Sequence, residues 1–406
     1  MSAPAIRPLR IVVVASRYLE DVGGAETVAR VGVEGLRARG HRVDVVSLAA
    51  PGERSGFTDG RRSDASVHRL QPDNLYHPHD AARWPWLLRA AWHLRDLSSP
   101  RNARHVDAIL READADLMVS HNLKGLGLRV AEAPRRAGVP HVHVLHDLQL
   151  CVASGVLVHG RERRGDATPA LRGFHARRAR ARLASPDLVL SPSRYLLSEH
   201  RAAGFFPHSR TEVLPLPRPA AAAGNVPPGP ARVAFAGQLV AHKGVQVLLA
   251  AWRLRNANAE LHIAGDGALR EDVQAAAAAD ASITVHGRLR QTDLCALYAR
   301  TDVVVVPSLC HEGANLVACE AQAHGAFVVA SAVGGLPEYV SPDGGALVAP
   351  DDPPALAAAI AAACARVDRL RTQRGRIASQ APGLEAATYI DRFASLLEGL
   401  ASVPHP

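Results

Sequence analysis

VVVVPSLCHEGANLVACEAQAHGAFVVAS, residues 303–331, holds two apolar strand patterns on either side of a segment that favours a helix. The strand patterns cover Val303–Pro307 and Phe327–Ser331, and neither alternates apolar with polar residues. Such continuous, valine-rich runs are typical of strands that are buried on both faces of a parallel sheet. We expect the helix between them to begin near Asn315. The stretch therefore predicts a strand–helix–strand unit of an α/β domain.

The same alternation of strand and helix patterns recurs along the chain. Residues 185–193, SPDLVLSPS, resemble residues 300–308, RTDVVVVPS, and each is a buried strand pattern that leads to Pro-Ser. The alternation predicts an α/β fold with two doubly wound, Rossmann-like domains. A first helix is expected from about Ala25 to Arg39. The predicted strands are 10–16, Val43–Leu48, Leu117–Ser120, Val139–Leu145 and Asp187–Ser191 in the first half, and Val233–Gly237, Leu261–Gly265, Ile283–His286, Val303–Pro307, Phe327–Ser331 and Ala346–Val348 in the second.

A proline-rich segment separates the two halves. Residues 215–231 carry six prolines, have little to bury and predict an interdomain linker. We therefore expect domains at 1–215 and 232–385, a linker at 216–231, and a C-terminal helix within 386–406 that packs back on the N-terminal domain. Ligands of open α/β sheets bind beyond the carboxyl ends of the strands, so we expect the site in a cleft between the two domains.

The composition limits the classes of function. The formal net charge of +8 comes almost wholly from arginine, since the chain has only two lysines, Lys124 and Lys243. GC-rich coding accounts for this balance, and attraction to a nucleotide phosphate or a lipid head group is the alternative. The clearest basic cluster, Arg161–Arg182, has only Phe174 as a stacking aromatic, which disfavours nucleic-acid binding.

The chain has neither a disulfide nor a transmembrane signature. Its five cysteines are scattered and form no Cys-x-x-Cys pair. No apolar run approaches the roughly 18–20 residues that span a bilayer, and the N-terminal run lacks a signal-peptide layout. We expect a cytoplasmic protein, with a peripheral position at the inner membrane face as an alternative. Trp84, Trp86 and Trp92 are candidates to stack on a sugar, to touch a membrane surface or to pack inside the fold.

Three glycine-containing loops follow predicted strands. Gly23-Gly24 precedes the first helix, where free amide groups attract anions such as a diphosphate. The loop 237–244 contains Gln238 and Lys243, and the lysine can neutralise a leaving diphosphate. Gly265-Asp266-Gly267 suits a close backbone approach to a nucleotide. Taken singly, each loop is also open to a plain interpretation as a turn or an exposed cation.

Two glutamates mark the quoted stretch. Glu312 lies in the loop after the first strand, and Glu320 lies two helical turns further on. Carboxylates accept hydrogen bonds from hydroxyls and repel phosphate, so the pair suits hexose and ribose hydroxyls. The free amides around Asn315–Val317 could hold phosphate or sugar oxygens. An isolated pair of glutamates at this spacing would more often be two charges on a helix surface.

The motifs together resemble a known family. Residues 307–340, PSLCHEGANLVACEAQAHGAFVVASAVGGLPEYV, resemble the donor-site signature of family 4 retaining glycosyltransferases of GT-B fold, whose core is E-x7-E followed by A-x-G, V-V-A-S and G-G-x-P-E. The resemblance covers most of the chain in order and is densest in 230–355. It extends to GQLVAHKG (237–244), IAGDG (263–267), GALVAPDDPPALA (345–357) and GGAE (23–26).

The resemblance implies transfer from a nucleotide-sugar to a hydroxyl acceptor, with retention at the anomeric carbon. Lys243 would contact the diphosphate, Glu312 the donor-sugar hydroxyls and Glu320 the ribose hydroxyls. Gly24 would shape the phosphate side of the cleft from the N-terminal domain. His146 would orient the donor or the acceptor. The implied donor-binding set is completed by Gly23, Gln238, Gly265, Asp266, Gly267, Gly313, Ala314, Asn315, Leu316 and Val317.

The same resemblance implies that neither a metal nor another cofactor is needed. The acceptor would be a glycan, a lipid or a small molecule, and lipid-linked and membrane-surface acceptors are included. It would dock on the N-terminal domain, where 51–105 and 161–182 are candidate regions. Two departures bear on these roles. Gln238 stands where the family usually has arginine, which removes a positive charge, and Ala314-Asn315 replaces a frequent Phe-Gly, which alters the sugar pocket.

Other functions stay open at this point. A GT-B sugar-nucleotide epimerase would need no acceptor, and a non-catalytic glycosyltransferase-like partner protein would tolerate Gln238. A nicotinamide-dependent oxidoreductase is disfavoured because no G-x-G-x-x-G opens either half.

His141 and His143 share a strand face near His146 and Asp147, which could suit a metal.

Overall fold

The chain folds into two compact units. The computed structural model describes residues 7–18, 23–53, 56–59, 66–165, 168–255 and 257–402. Within these ranges, unit 1 holds the residues up to Gly155, Gly165–Leu214 and the residues from Ala387 onward. Unit 2 holds Val156–Arg164 and Pro215–Ala386. Each unit has its own sheet, so the predicted α/β fold with two doubly wound domains is confirmed.

The sheet of unit 1 has eight described strands in the order β3-β4-β2-β1-β5-β6-β7-β8. All neighbouring pairs are parallel except the antiparallel pair β3–β4 at one edge. The order from β4 to β7 is the 3-2-1-4-5-6 order of doubly wound nucleotide-binding folds. The strands are β1 (Arg10–Val14), β2 (Arg42–Leu48), β3 (Gly56–Asp59), β4 (Ser66–Leu70), β5 (Leu117–Ser120), β6 (His141–Val144), β7 (Leu188–Ser191) and β8 (Arg210–Val213).

The main sheet of unit 2 is entirely parallel and has the order β12-β11-β10-β13-β14-β15. Numbered within this sheet alone, the order is again 3-2-1-4-5-6, and the topological switch point lies between β10 and β13. The strands of unit 2 are β9 (Pro217–Arg218), β10 (Ala231–Ala236), β11 (Ala259–Ala264), β12 (Ile283–Gly287), β13 (Val303–Val306), β14 (Phe327–Ser331), β15 (Gly345–Val348) and β16 (Leu384–Glu385).

Helices cover the faces of both sheets. In unit 1 they are α1 (Gly24–Ala38), α2 (Trp86–Asp96), α3 (Arg101–Glu112), α4 (Ala133–Ala137), α5 (Pro169–Leu183) and α6 (Arg194–Ala202). In unit 2 they are α7 (Val245–Arg253), α8 (Arg270–Ala279), α9 (Gln291–Ala299), α10 (Leu316–Ala323), α11 (Pro353–Cys364) and α12 (Val367–Ser379). The last helix, α13 (Ala386–Ala401), belongs to unit 1 after its first residue. There Phe393 and Ile390 lie against Gly32 and Gly35 of α1, where a larger residue would collide with them.

The valine-rich strands form the core of unit 2. Val303, Val305, Phe327 and Val329 are all at most 3% exposed, and they belong to one cluster of buried side chains. Full burial of such side chains contributes about 1.5–3 kcal/mol each. This burial on both faces explains why the two strands carry no polar alternation.

The proline-rich segment differs from its prediction. Residues 217 and 218 form β9, which pairs in parallel with β16. Leu216 and Val226 are 7% and 5% exposed, so the expectation that the segment has little to bury is wrong for these two residues. Two apolar side chains among many prolines leave no periodic signal in the sequence.

A strap from the first half of the sequence belongs to unit 2. Residues 156–164, between β6 and α5, pair with the loop after β13: the amide of His159 donates to the carbonyl of Leu309 at 2.8 Å, and the amide of His311 donates to that of Leu157 at 2.8 Å. Val158 and Cys310 form an antiparallel bridge. The pairing of the strap with this loop therefore extends to His311, the residue before Glu312, and no pattern in the sequence predicted it.

Candidate functional site

The loops after β10 and β13 meet at the switch point of the second sheet. The amide of Leu309 donates to the carbonyl of His242 at 2.9 Å, which ties one loop to the other. Gly244 has a φ of +75° and lies so close to Pro307 that a Cβ would overlap the carbonyl oxygen of Pro307. Only glycine combines that backbone conformation with that approach. The two loops are thus held at a fixed spacing.

This spacing brings Lys243 and Glu312 into an ion pair. The Nζ of Lys243 lies 3.1 Å from the Oε1 of Glu312, and their side chains are 29% and 8% exposed. Burial disfavours both charges, but the attraction between them outweighs it. The pKa of Lys243 is therefore raised and that of Glu312 lowered. Both groups stay charged at neutral pH.

Two further side chains hold the carboxylate of Glu312. The hydroxyl of Ser308 donates to Oε1, and the Nδ2 of Asn315 donates to Oε2 at 2.9 Å. With Lys243, Oε1 has two donors and Oε2 has one. A carboxylate oxygen accepts about two hydrogen bonds, so Oε2 can accept one more from a ligand hydroxyl.

Asn315 also starts the helix that follows. Its Oδ1 accepts from the amide of Ala318 at 2.9 Å, which makes it the N-cap of α10. The amides of Leu316 and Val317 lie in the first helical turn and have no acceptor within the helix. The turn therefore offers two donors beside Glu312. Gly313 is buried and Ala314 half-buried in the same loop.

Glu320 lies further along α10 in a different environment. It is 6% exposed, and the Nε2 of Gln291 donates to its Oε1 at 2.8 Å. Burial raises the pKa of Glu320 to about 7, and the Gln291 hydrogen bond only partly opposes this. Among the described residues this carboxylate has one amide donor and no cationic partner, and such a group gains from hydroxyl donors.

The two other predicted elements of unit 2 form a neighbouring loop pair. The amide of Leu239 donates to the carbonyl of Asp266 at 2.9 Å, and Gly265 lies directly against the carbonyl of Gly237. The carboxylate of Asp266 accepts from the amide of Gly267 at 2.8 Å. Gln238 is exposed, and among the described residues its side chain has no hydrogen-bond partner. It therefore supplies no charge and has no side-chain hydrogen bond to lose among the described residues.

The predicted glycines of unit 1 lie at the start of α1. Gly23 is the N-cap and Gly24 the first helical residue, and both are exposed. The carboxylate of Glu26 folds back over this end, since a Cβ on Gly23 would lie 2.6 Å from its Oε2. An anion that approaches the free amides meets that carboxylate first. Gly24 and His146 belong to unit 1, whereas Lys243 and Glu312 belong to unit 2.

His146 lies beyond the carboxyl end of β6. Its Nε2 lies 2.8 Å from the Nδ1 of His121, and the two rings stack with centroids 5.1 Å apart. Burial lowers the pKa of His146 to about 4 and that of His121 well below its usual value. Both rings are neutral at pH 7. They can orient hydroxyls, but a group with a pKa near 4 is a poor proton acceptor at neutral pH.

His146 lines a pocket of unit 1 that both predicted acceptor regions reach. His93 and Asp96 come from α2, within 51–105, and His175 comes from α5, within 161–182. Burial raises the pKa of Asp96 to about 7. The pocket thus offers mostly neutral hydrogen-bonding groups.

The histidine pair on β6 has a partner of its own. The Oγ of Ser120 lies 2.7 Å from the Nε2 of His141 and 2.8 Å from the Nδ1 of His143. Within the described ranges, the one group of side chains arranged to hold a metal lies elsewhere, in unit 2, and consists of His159, Glu162 and His311. It lies at the strap and is partly exposed.

Several residues that support the site were not predicted from the sequence. Ser308 and Gln291 hold the two glutamates, and the amide of Gly335 donates to the carbonyl of Glu312 at 2.7 Å. Ser308 is the serine of the repeated Pro-Ser ending, which was the one available signal. Gln291 gave none, because it is 29 positions from its partner and starts a different helix.

Two family models match the chain. The model "Glycosyl transferase 4-like domain" matches residues 23–217, and the model "Glycosyl transferases group 1" matches residues 230–366. Together they cover most of the chain: the first spans β2 to β8 of the first sheet, and the second spans β10 to β15 of the second.

Curated relatives point the same way. An uncharacterized 42.6 kDa protein of the cps region of Klebsiella pneumoniae is 24% identical over 79% of this chain and 84% of its own length. A D-inositol 3-phosphate glycosyltransferase of Arthrobacter is 30% identical over 54% of this chain and 55% of its own length. An uncharacterized glycosyltransferase of Methanocaldococcus jannaschii is 37% identical over 31% and 33%. The chain therefore matches about half or less of the length of the last two.

Solved structures share the fold. Sucrose-phosphate synthase from Thermosynechococcus elongatus superimposes with a TM-score of 0.74 at 22% identity and covers 97% of this chain and 99% of its own. HepE of Anabaena, solved in complex with UDP-glucose, gives a TM-score of 0.68 at 19% identity over 96% and 99%. At such identities these likenesses establish the architecture, which is that of GT-B enzymes. With the two family models, they establish that the chain belongs to the family 4 glycosyltransferases of GT-B fold.

Proposed function

We propose that this glycosyltransferase moves a sugar from a nucleoside-diphosphate sugar to a hydroxyl acceptor, with retention at the anomeric carbon. The observation that carries the proposal is the Lys243–Glu312 pair at the switch point of the second sheet, beside the free amides of α10. The solved relative HepE binds UDP-glucose, which supports a donor of this class.

The cation of Lys243 would meet the greatest electrostatic demand of the reaction. When the anomeric C–O bond to the diphosphate breaks, negative charge grows on the leaving oxygen. Lys243 stays protonated because Glu312 raises its pKa, and an ammonium group has three donors, of which Glu312 uses one. The amides of Leu316 and Val317 add two uncharged donors.

The two glutamates would hold the two sugars. Glu312 retains one acceptor position, on Oε2, for a donor-sugar hydroxyl. Glu320 lies two turns further along α10 with a carboxyl that has a single amide donor, which suits the ribose hydroxyls. Asn315 fixes Glu312 and caps α10 at the same time, so its substitution for the family's glycine would shape the sugar pocket.

The chemistry would run on one face of the sugar. The bond from the anomeric carbon to the phosphate oxygen breaks, the bond to the acceptor oxygen forms on the same face, and the acceptor proton passes to the leaving phosphate. The carboxylate of Glu312 is held by Lys243, Ser308 and Asn315, and its one remaining acceptor position serves a sugar hydroxyl, so we assign it no nucleophilic role. Charge stabilisation by Lys243 and amides requires no metal, and turnover should stay within about twofold after EDTA treatment.

The acceptor would bind in the pocket of unit 1 that His146 lines. Neutral imidazoles at this place can orient a hydroxyl of a glycan, a lipid or a small molecule without attracting the donor phosphates. A cytoplasmic location agrees with the use of a nucleotide-sugar. Among the described helices, none is long and apolar enough to cross a membrane.

A thermal-shift screen against UDP-, GDP-, ADP- and dTDP-sugars tests the donor class. We expect one nucleotide to raise Tm selectively and to do so less in Lys243→Ala. Release of the matching nucleoside diphosphate in the presence of acceptors then measures transfer, and the anomeric configuration of the product tests retention. No shift with any of the four would contradict the proposal.

Gln238 favours one alternative, a non-catalytic glycosyltransferase-like partner protein. The loss of the family's arginine leaves the Lys243–Glu312 pair electrically neutral, which weakens the hold on a diphosphate. Donor binding without turnover across a broad acceptor panel would support this alternative. Donor conversion to an epimer without any acceptor would instead support a sugar-nucleotide epimerase.

A further inference from the structure

Helix α2 presents an apolar face to solvent. Trp86 and Leu87 are 73% and 62% exposed, and Leu94 is 48% exposed. Ala90 and Ala91 are exposed as well. At 3.6 residues per turn these five side chains fall within about 140° of the helix circumference. A surface helix normally shows the reverse pattern, with its apolar stripe towards the core.

The opposite face anchors the helix firmly. Trp92 is 2% exposed, its indole N–H donates to the carbonyl of Tyr76 at 2.9 Å, and the amide of Gly125 donates to Asp96 at 2.9 Å. Tyr76 stacks on Trp92 and on Trp84, with ring centroids 6.0 and 5.5 Å apart. The exposed face is thus a built feature of unit 1 and not the result of a detached helix.

Exposed apolar side chains are concentrated at this one place. Of the nine large hydrophobic residues that are exposed in the described parts of the chain, six lie between residues 75 and 94. Contiguous exposed apolar surface marks an interaction site, whereas single exposed leucines need no explanation. The six are Leu75, Trp84, Trp86, Leu87, Leu88 and Leu94.

Positive charge borders the apolar face. Arg83, Arg89 and Arg95 are exposed, and the sequence from 81 to 95 contains no acidic residue. Arg83 pairs with Asp80 and Arg95 with Asp73, while Arg89 has no ion pair among the described residues. The neighbouring helix α5 adds five arginines and no acid, and its His175 lines the same pocket as His93 of α2.

We propose that this surface, formed by residues 83–95, docks on an anionic lipid bilayer. Tryptophan favours the headgroup level, leucine the acyl boundary, and arginine the lipid phosphates, and the face shows these three chemistries in that arrangement. Eleven helical residues are too few to span a bilayer, so α2 lies in the surface plane.

The charges favour lipid over a second copy of this chain. A symmetric dimer would place the same patch on itself and bring Arg83, Arg89 and Arg95 towards their own copies. A nucleic acid would use the arginines but leave the leucines and Trp86 exposed. The inference concerns the surface alone and is independent of the proposed transfer reaction.

Sedimentation with vesicles tests the inference. We expect the whole protein to bind vesicles of phosphatidylcholine and phosphatidylglycerol in a roughly 7:3 ratio, and to bind pure phosphatidylcholine much more weakly. Binding should weaken as salt rises, because screening removes the attraction of the arginines. Trp86→Ser with Leu87→Ser should weaken binding at least about tenfold.

Leu254→Ser is the matched control. Leu254 is 59% exposed, close to the 62% of Leu87, but lies in unit 2 after α7. Its replacement should leave vesicle binding unchanged. Both variants change exposed side chains, so an unaltered Tm checks that each is folded.

Tryptophan fluorescence locates the contact. The chain has four tryptophans, of which Trp92 and Trp252 are 2% and 1% exposed. Brominated lipids should therefore quench only Trp84 and Trp86, and Trp84→Phe with Trp86→Phe should abolish the quenching while most of the binding persists. Absence of vesicle binding, equal binding by the serine variant, or a dimer that the serine variant dissociates would each overturn the inference.

Discussion

The two sheets have the same strand order, but the side chains at their carboxyl edges differ in charge. In unit 2, Lys243 and Glu312 are both charged and lie 3.1 Å apart. In unit 1, His121 and His146 follow β5 and β6 and lie 2.8 Å apart between ring nitrogens, and burial keeps both rings neutral. A doubly wound sheet supplies a ligand-binding edge, and the residue types on its loops decide whether that edge can bind a charged ligand.

The difference suggests a division of labour between the units. The charged edge suits a diphosphate, whose charge grows during the reaction. The neutral edge suits hydroxyls, which need orientation and no countercharge. Substitutions at the charged edge of unit 2 should therefore change donor binding, and acidification should act chiefly through the histidines of unit 1.

Lys243→Ala should produce the largest effect. Loss of the only cation of the Lys243–Glu312 pair should lower kcat/KM roughly 100- to 1000-fold, by analogy with the removal of other groups that stabilise developing charge. It should also destabilise the fold, because Glu312 keeps a buried charge without its partner. Adding Glu312→Gln should restore Tm but not turnover. Turnover within a few-fold of the unmodified protein would contradict the role of Lys243.

Glu320→Gln should separate stability from donor binding. The pKa of Glu320 is about 7 in the folded protein, against 4.5 for an ordinary glutamate. The unfolded chain therefore loses this proton first, and the folded protein loses stability as pH rises from 4.5 through 7. The variant should be more stable than the unmodified protein by about 1–3 kcal/mol at pH 8 and by much less at pH 5. Donor affinity should fall about tenfold, because an amide accepts ribose hydroxyl bonds more weakly. Denaturant titration and calorimetry measure the two effects.

Acidification should destabilise the protein through its buried histidines. Burial lowers the pKa values of His141, His146 and His200 to about 4, against 6.5 for an ordinary histidine. The unfolded chain therefore takes up protons first, and stability is lost as pH falls from 6.5 towards 4. Each of these histidines should cost about 1–2 kcal/mol at pH 5.

One variant isolates this acid effect. His200 is fully buried, and its Nε2 has no hydrogen-bond partner among the residues that the structure describes. His200→Leu should therefore reduce the loss of Tm between pH 7 and pH 5. His208→Gln, at an exposed position, should leave that loss unchanged. An equal pH dependence in all three proteins would place the acid sensitivity elsewhere.

Asn315→Ala should have a moderate effect on both fold and site. It removes the cap of α10 and the hydrogen bond to Glu312, and loss of a cap alone costs about 0.5–2 kcal/mol. Asn315→Ser, which keeps a capping oxygen, should recover the stability but not the donor affinity. Unchanged Tm and unchanged affinity in the alanine variant would show that Asn315 has neither task.

Gln238→Arg should have the smallest effect, and in the favourable direction. Gln238 is exposed and has no described side-chain partner, so nothing is lost, while a second cation joins Lys243 at the donor loop. Nucleoside diphosphate should bind about three- to fivefold more tightly, with a steeper dependence on salt. Gln246→Arg, at another exposed glutamine of unit 2, is the control for added charge alone.

Most strands could be predicted because they are buried on both faces. Phe327–Ser331 and Leu117–Ser120 have the predicted bounds, and the other predicted strands differ by one or two residues at their ends. The strands β3, β4 and β8 and the two-residue strands β9 and β16 were not predicted. In the first sheet, β3 and β8 are the edge strands and β4 lies next to β3, and the partial exposure of β4 and β8 breaks the apolar run that marks a central strand.

The site could be predicted only as a set of loops. Lys243, Glu312 and the amides of α10 do lie together, as the motif order implied. Their supports could not be read from the sequence, because Ser308, Gln291 and the strap 156–164 reach the site through long-range packing. The apolar face of α2 was also hidden, since only the structure shows that Trp92 points inward and Trp86 outward.

The sequence by itself determined the α/β fold, the two-fold repetition of the doubly wound pattern and the residue types available for donor chemistry. Local signals suffice for these, because burial and loop glycines leave their mark within a few residues. Tertiary structure alone decided which charges are paired and which histidines are neutral. Pairing and pKa depend on distances and burial, which arise when residues far apart in the chain pack together.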